Sequence, residues 1–193
     1  MEKGSMTTKK FSNVVSLILA VLIISACASR PTQRSRSDEE IAVYSALINE
    51  QLEVPFGYLM GDPIIIVNRT SYESVEDDIL YAGAPSLDND TVKNFREENI
   101  GRYTLDLPLS VNKPYEYMSW PTDENGWMEF GQKFPHAITI TAISKIGFNK
   151  KMNQALVYMA YYCGTECGMA NVYFMTRKGD TWMIEATIEI WVS

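Results

Sequence analysis

The run from Thr181 to Val192 alternates without a break. Trp182, Ile184, Ala186, Ile188, Ile190 and Val192 fall at period two, with Met183, Glu185, Thr187, Glu189 and Trp191 between them. A strand sends successive side chains to opposite faces, so this spacing predicts a β-strand with one face on a core and the other in solvent. That division is the antiparallel pattern. Lys178-Gly179-Asp180 supplies a glycine for a hairpin turn just before it. Gln154 to Cys163 and Cys167 to Arg177 are further strand-like runs, and Ala137 to Ile146 alternates around Ile138, Ile140 and Ala142. Together they predict an antiparallel meander of at least four strands.

A different period governs residues 37–52. Ser37-Asp38-Glu39-Glu40 resembles a capping box. Ile41, Tyr44, Leu47, Ile48 and Leu52 then share one face at 3-4 spacing, with Glu39, Ser45, Asn49 and Glu50 opposite. This predicts an amphipathic helix ended by Pro55 and Gly57. Between helix and meander the signals are weaker. Pro63–Val67 reads as a buried strand, Asp78–Ala82 as a short strand and Ser86–Asn99 as a short helix carrying Val92 and Phe95. Tyr103–Leu107 alternates weakly, residues 108–126 read as a loop with turns, and Trp127–Phe134 as one or two helical turns. The expected class is α+β, the meander packing against the N-terminal helix.

The chain opens on a tripartite segment. Lys3, Lys9 and Lys10, opposed by Glu2, precede the apolar run Val14–Ile24, and Ser25-Ala26 lead into Cys27. The run is far short of the roughly 20 residues of a spanning helix, and its flanks fit a cleaved export signal. Ile24-Ser25-Ala26-Cys27 resembles the lipobox of bacterial lipoproteins. The resemblance implies cleavage between Ala26 and Cys27, lipid on the Cys27 sulfur and acylation of the new N-terminus; an ordinary secretory signal is the plainer alternative. Ala28 differs from the aspartate associated with inner-membrane retention, so by analogy the anchor is expected in the outer membrane, facing the periplasm. The organisation expected is a signal peptide over 1–26, a lipidated flexible tether over 27–37 and a single globular domain over 38–193.

Charge narrows the partners. The full chain has 17 basic and 24 acidic side chains. Removing Lys3, Lys9, Lys10 and Glu2 leaves 14 and 23, a net charge of about −9. Nucleic-acid binding rests on phosphate neutralisation by Lys and Arg, so this balance argues against it. The membrane, reached through the N-terminal lipid, and an envelope protein or glycan are the expected partners.

Cys163 and Cys167 frame Gly164-Thr165-Glu166 between two strand patterns. A three-residue hairpin loop sets its flanking residues opposite each other, within reach of a disulfide, and an exported compartment is oxidising. A redox-active pair, a zinc site and free thiols are the alternatives. Redox pairs usually have two intervening residues at a helix start, and a zinc site would have His136 as its one histidine. Ser144–Asn149, Gln154–Tyr158, Cys163-Gly164, Cys167-Gly168 and Lys178–Trp182 together resemble a pattern of uncharacterised exported bacterial proteins. That resemblance implies a hairpin-rich sheet module and no activity. The Gly-Asp-Thr-Trp entry into the last strand is also similar to the ending of some cystatin-like or NTF2-like folds, which is an analogy of fold alone.

No nucleophile-elbow pattern, metalloprotease motif, phosphate loop or dinucleotide fingerprint is present. His136, beside Pro135 at a strand start, reads as structural or solvated. No metal or cofactor is expected, and no catalytic residue is assigned. Tyr115, Tyr117 and Trp120 cluster in the proline-bearing loop, and Trp191 interrupts the polar side of the last strand. Such aromatics either cover the edge of the core or form a surface for a sugar or a protein. The leading expectation is a non-enzymatic envelope lipoprotein that binds a partner. The alternative is a cell-wall or glycan hydrolase using two carboxylates in a cleft.

Overall fold

A computed structural model describes residues 34–53, 61–164 and 166–193. The expected cleavage site at Ala26 and Cys27 and the helix-ending Pro55 and Gly57 lie outside them. The chain divides into Met1–Ser35 and Arg36–Ser193, and the fold described is that of the second unit. It is α+β. In chain order its elements are α1 (Arg36–Glu53), β1 (Ile64–Val67), α2 (Asp77–Gly83), α3 (Asn89–Glu98), β2 (Tyr115–Met118), α4 (Glu124–Lys133), β3 (Ile140–Ile143), β4 (Gly147–Phe148), β5 (Gln154–Tyr162), β6 (Gly168–Lys178) and β7 (Thr181–Val192).

The sheet runs β2-β1-β3-β5-β6-β7, with β4 also on β5. From β3 through β5 and β6 to β7 every pairing is antiparallel, the expected four-stranded run. At the other end β1 pairs in parallel with both β2 and β3, so the sheet is mixed. Parallel neighbours need long crossovers. Here α2 and α3 lie between β1 and β2 in the chain, and α4 between β2 and β3.

Layers on both faces bury the central strands, where one solvent-facing side was expected, while in the edge strand β7 Met183, Glu185, Thr187 and Glu189 are exposed as expected. On one face Val43, Tyr44, Leu47 and Ile48 of α1 pack on Ile64, Val157, Met159, Tyr173 and Trp182. On the other, Leu80, Val92 and Phe95 of α2 and α3 cover Leu156, Tyr158, Val172, Phe174 and Ile188. Phe130 of α4 and Phe134, its C-cap, cover Ile65, Val67, Ile140 and Ala142. Central strands buried on both sides read as continuous apolar runs, as Ile64–Val67 does.

The alternation in β7 hides two irregularities. Its pairing with β6 shifts register twice, stepping past Glu185 and Ile190. A bulge inserts one unpaired residue, so side chains two apart across it point to opposite faces. Trp182 and Ile184 therefore join the α1 side, while Ala186, Ile188 and Ile190 join the α2–α3 side. The apolar set is divided between two cores, and Val192 at its end is exposed.

Local expectations are corrected at five points. Residues 78–82 form helix, not strand: Asp77 and Asp78 sit in the first turn of α2, where carboxylates suit the helix dipole, and only Leu80 is buried. The 108–126 segment contains β2, a short edge strand between Pro114 and Pro121. Tyr103–Leu107 contributes one isolated bridge, Arg69 with Thr104. Ile138 is exposed and the third strand starts at Ile140, all four of its residues buried. Ser37 lies inside α1 rather than before it, and Glu40 pairs with Arg36 one turn back, N···O 3.2 Å.

The buried stripe of α1 also takes in two polar residues. Ser45 accepts a hydrogen bond from the Ser110 amide at 2.9 Å. Glu39 is 1% exposed, and its two oxygens take separate donors from the far end of the sheet: Arg177 Nη1 at 2.6 Å and Trp182 Nε1 at 2.8 Å. A buried carboxylate persists only when paired and hydrogen-bonded. Glu39 meets that condition by fastening α1 across the β6–β7 turn.

Candidate binding surface

Cys163 and Cys167 are joined in a disulfide, Cα–Cα 5.1 Å, and the Cys163 amide donates to the Cys167 carbonyl at 3.0 Å. The bridge closes the β5–β6 hairpin next to the Tyr162–Gly168 pair. It thereby holds the end of β5, where Tyr162 projects towards the face covered by α2, α3 and α4.

Two of the four aromatics singled out from sequence meet at Tyr162. Its ring lies 4.7 Å from that of Trp120, edge-on, and 5.6 Å from that of Trp191. Trp127 of α4 adds a fourth ring, 6.1 Å from Trp120. Trp191 reaches this face because the Ile190 bulge reverses the parity of β7. Its indole N–H and the Tyr158 hydroxyl are buried without a hydrogen bond of good geometry. Burial, the first cause, raises the Tyr162 pKa above the ordinary tyrosine value, with Glu73 adding to it. The phenol is therefore neutral at physiological pH.

Tyr115 and Tyr117 belong elsewhere. Their rings meet edge-on at 5.6 Å and pack against the core under α1. The Leu109 amide donates to the Tyr115 hydroxyl at 2.8 Å, and the Tyr117 hydroxyl donates to the Leu107 carbonyl at 2.9 Å. They anchor the 105–111 segment. β2 sends 115 and 117 to the α1 side of the sheet, and Trp120 lies just past its end.

Trp120 is 38% exposed and stands between two grooves. One, of about 530 Å³, is lined by the residues following β1, by Arg102, by Ser119, Trp120 and Thr122, and by Tyr162. The other, of about 550 Å³, runs along α4 and shares Ser119, Trp120 and Thr122. Both volumes suit a small ligand. The first contains Arg69, Arg102 and Tyr72, and one carboxylate, Glu73. His136 is exposed in the turn after α4 and lines neither. Among the described residues no group of three or more His, Cys, Asp or Glu is gathered to hold a metal ion. No described helix is long and apolar enough to cross a membrane.

Sequence reasoning missed Tyr162 and the two arginines. Tyr162 read as an ordinary strand residue, and Arg69 and Arg102 are 33 positions apart. Only the long-range pairing of residues 68–70 with 103–105 unites them.

The fold and groove define a class, an α+β domain with a mixed sheet covered on both faces and an aromatic ridge on one of them. Comparison with known families, curated proteins and solved structures returns no match.

Proposed function

We propose that this protein is an envelope lipoprotein, anchored by lipid on Cys27 in the outer membrane and facing the periplasm, whose domain is a non-enzymatic binding module. The observation carrying the proposal is the aromatic row Trp120–Tyr162–Trp191 beside an open groove. Rigid rings at low conformational cost suit contact with a sugar face or a protein. A two-carboxylate hydrolase has less support: this groove offers Glu73 alone, and in the α4 groove, which holds Asp123 and Glu129, Asp123 is engaged in capping α4 by accepting from the Gly126 amide.

The test is recovery of cross-linked partners from intact envelopes. Wild type should retain a glycan or protein that both Trp120→Ala and the unlipidated Cys27→Ser control lose. Equal recovery by all three would refute the proposal. Mass spectrometry of membrane-extracted protein should find an N-terminal lipidated residue 27. An unmodified Cys27 would remove the anchor.

A further inference from the structure

We infer that the groove beside Trp120 takes a carboxylate-bearing oligosaccharide, with Arg69 and Arg102 receiving the carboxylate. The inference rests on the reading of that groove as the binding surface and names its ligand class.

The backbone brings the two arginines together. Arg69 bridges Thr104 in antiparallel fashion. The Thr70 amide donates to the Tyr103 carbonyl at 2.8 Å, and the Leu105 amide to the Asn68 carbonyl at 2.9 Å. Continued by two residues, this antiparallel register puts residue 102 on the same side as 104 and diagonal to Arg69, and both arginines line the groove. The Tyr103 amide donates to Thr70 Oγ1 at 2.9 Å and secures the register.

Their surroundings leave both charges uncommitted. Arg36, Arg96 and Arg177 are each ion-paired. Neither Arg69 nor Arg102 has a carboxylate within 4.0 Å among the described residues. Both line a groove whose one acidic residue is Glu73, a local balance of +1 in a chain of net charge −7. Two guanidiniums lining one groove can both donate to a single carboxylate, in charge-assisted hydrogen bonds.

The remaining wall is suited to a sugar. Trp120 and Tyr162 offer ring surface for the C–H face of a pyranose, while Asn68, Ser71, Ser119 and Thr122 offer neutral polar groups for hydroxyls. Trp120 also borders the second groove, where Asp123 and Glu129 outnumber Lys133, so the carboxylate-bearing unit belongs in the arginine groove and only an uncharged unit of a linear saccharide suits the far side of the ridge. A lone carboxylate or a monosaccharide would use only part of this surface.

Isothermal titration of the full chain in detergent tests the inference with four probes. Trigalacturonic acid carries uronate carboxylates, and a solubilised muramic-acid disaccharide carries a wall-derived lactyl carboxylate. Chitotriose is neutral, and triaspartate is acidic without sugar. At least one charged saccharide should bind about tenfold tighter than chitotriose, and the better of the two identifies the source. Arg69→Gln/Arg102→Gln, changes at exposed positions, should abolish that preference. Equal affinity for charged and neutral saccharides would overturn the inference but leave a glycan-binding groove. Triaspartate binding as tightly as the sugars, or no binding by any probe, would overturn it too. Envelope cross-linking then decides separately whether the groove is the binding surface.

Discussion

Replacing Glu39 by alanine should cost the fold about 3 kcal/mol. The carboxylate is buried and holds Arg177 at 2.6 Å and Trp182 Nε1 at 2.8 Å. Alanine leaves the indole N–H, itself buried, without its acceptor, a loss of about 1–3 kcal/mol. Removing one partner of a buried ion pair typically costs about 3–5 kcal/mol because the other charge is stranded. Arg177 is not fully stranded: it keeps the Gly179 carbonyl at 3.0 Å and Asp180 at 3.1 Å, and its side chain is partly exposed. The lower end of that range therefore applies. In a domain of this size each kcal/mol moves the melting temperature by about 2–4 °C, so the drop should be about 6–12 °C. Near-UV circular dichroism of the full chain in detergent, followed on heating, reads it directly. Glu39→Gln keeps an acceptor for one of the two donors and should fall between wild type and alanine. A Glu39→Ala protein melting within about 2 °C of wild type would refute the claim that this network fastens α1 to the sheet.

Alkaline unfolding should be steep. Burial pushes the Tyr44, Tyr158 and Tyr161 phenols well above their ordinary value and Tyr173 to about 12. A raised folded-state pKa contributes stability that is complete below pH 10, the unfolded value, and is lost as pH rises above it. With four buried phenols the slope reaches about 5 kcal/mol per pH unit, so tyrosinate absorbance should appear in one step coincident with loss of circular dichroism. Independent gradual titration would contradict this. Reducing Cys163–Cys167 opens a very short loop and should cost about 2 kcal/mol, read as a lower denaturation midpoint; an unchanged midpoint would contradict it. At Gly147 an added Cβ would meet the Phe95 backbone, so Gly147→Ala should force α3 off β4 and cost about 3 kcal/mol or more in urea unfolding, and a loss below about 1 kcal/mol would contradict that packing.

The meander is legible because β5, β6 and β7 are long apolar or alternating runs separated by short turns. Thr181–Val192 was bounded correctly. Its bulges were not legible, because shifting an apolar residue from one core to another leaves no polar mark when both faces are covered. Glu39 was hidden for the opposite reason, since an acidic residue on a helix face reads as solvated unless its distant partners are known. β2 was masked by its flanking prolines. The Cys163–Cys167 bridge could be read because both partners flank one turn. At the groove, Trp120 and Trp191 were visible as misplaced aromatics. What unites them is Tyr162 and the parity change at Ile190, both consequences of pairing between strands.

The four tryptophans provide the most direct test of the binding surface. Trp120 borders both grooves, Trp127 packs edge-on against it and Trp191 joins it through Tyr162, whereas Trp182 is buried against Glu39 on the opposite face. Indole N–H resonances of the ¹⁵N-labelled full chain in detergent can be followed while solubilised envelope glycan is added. Binding at the proposed surface should shift Trp120 most, Trp127 or Trp191 less, and leave Trp182 in place. No shift at Trp120, or equal shifts at all four, would contradict it.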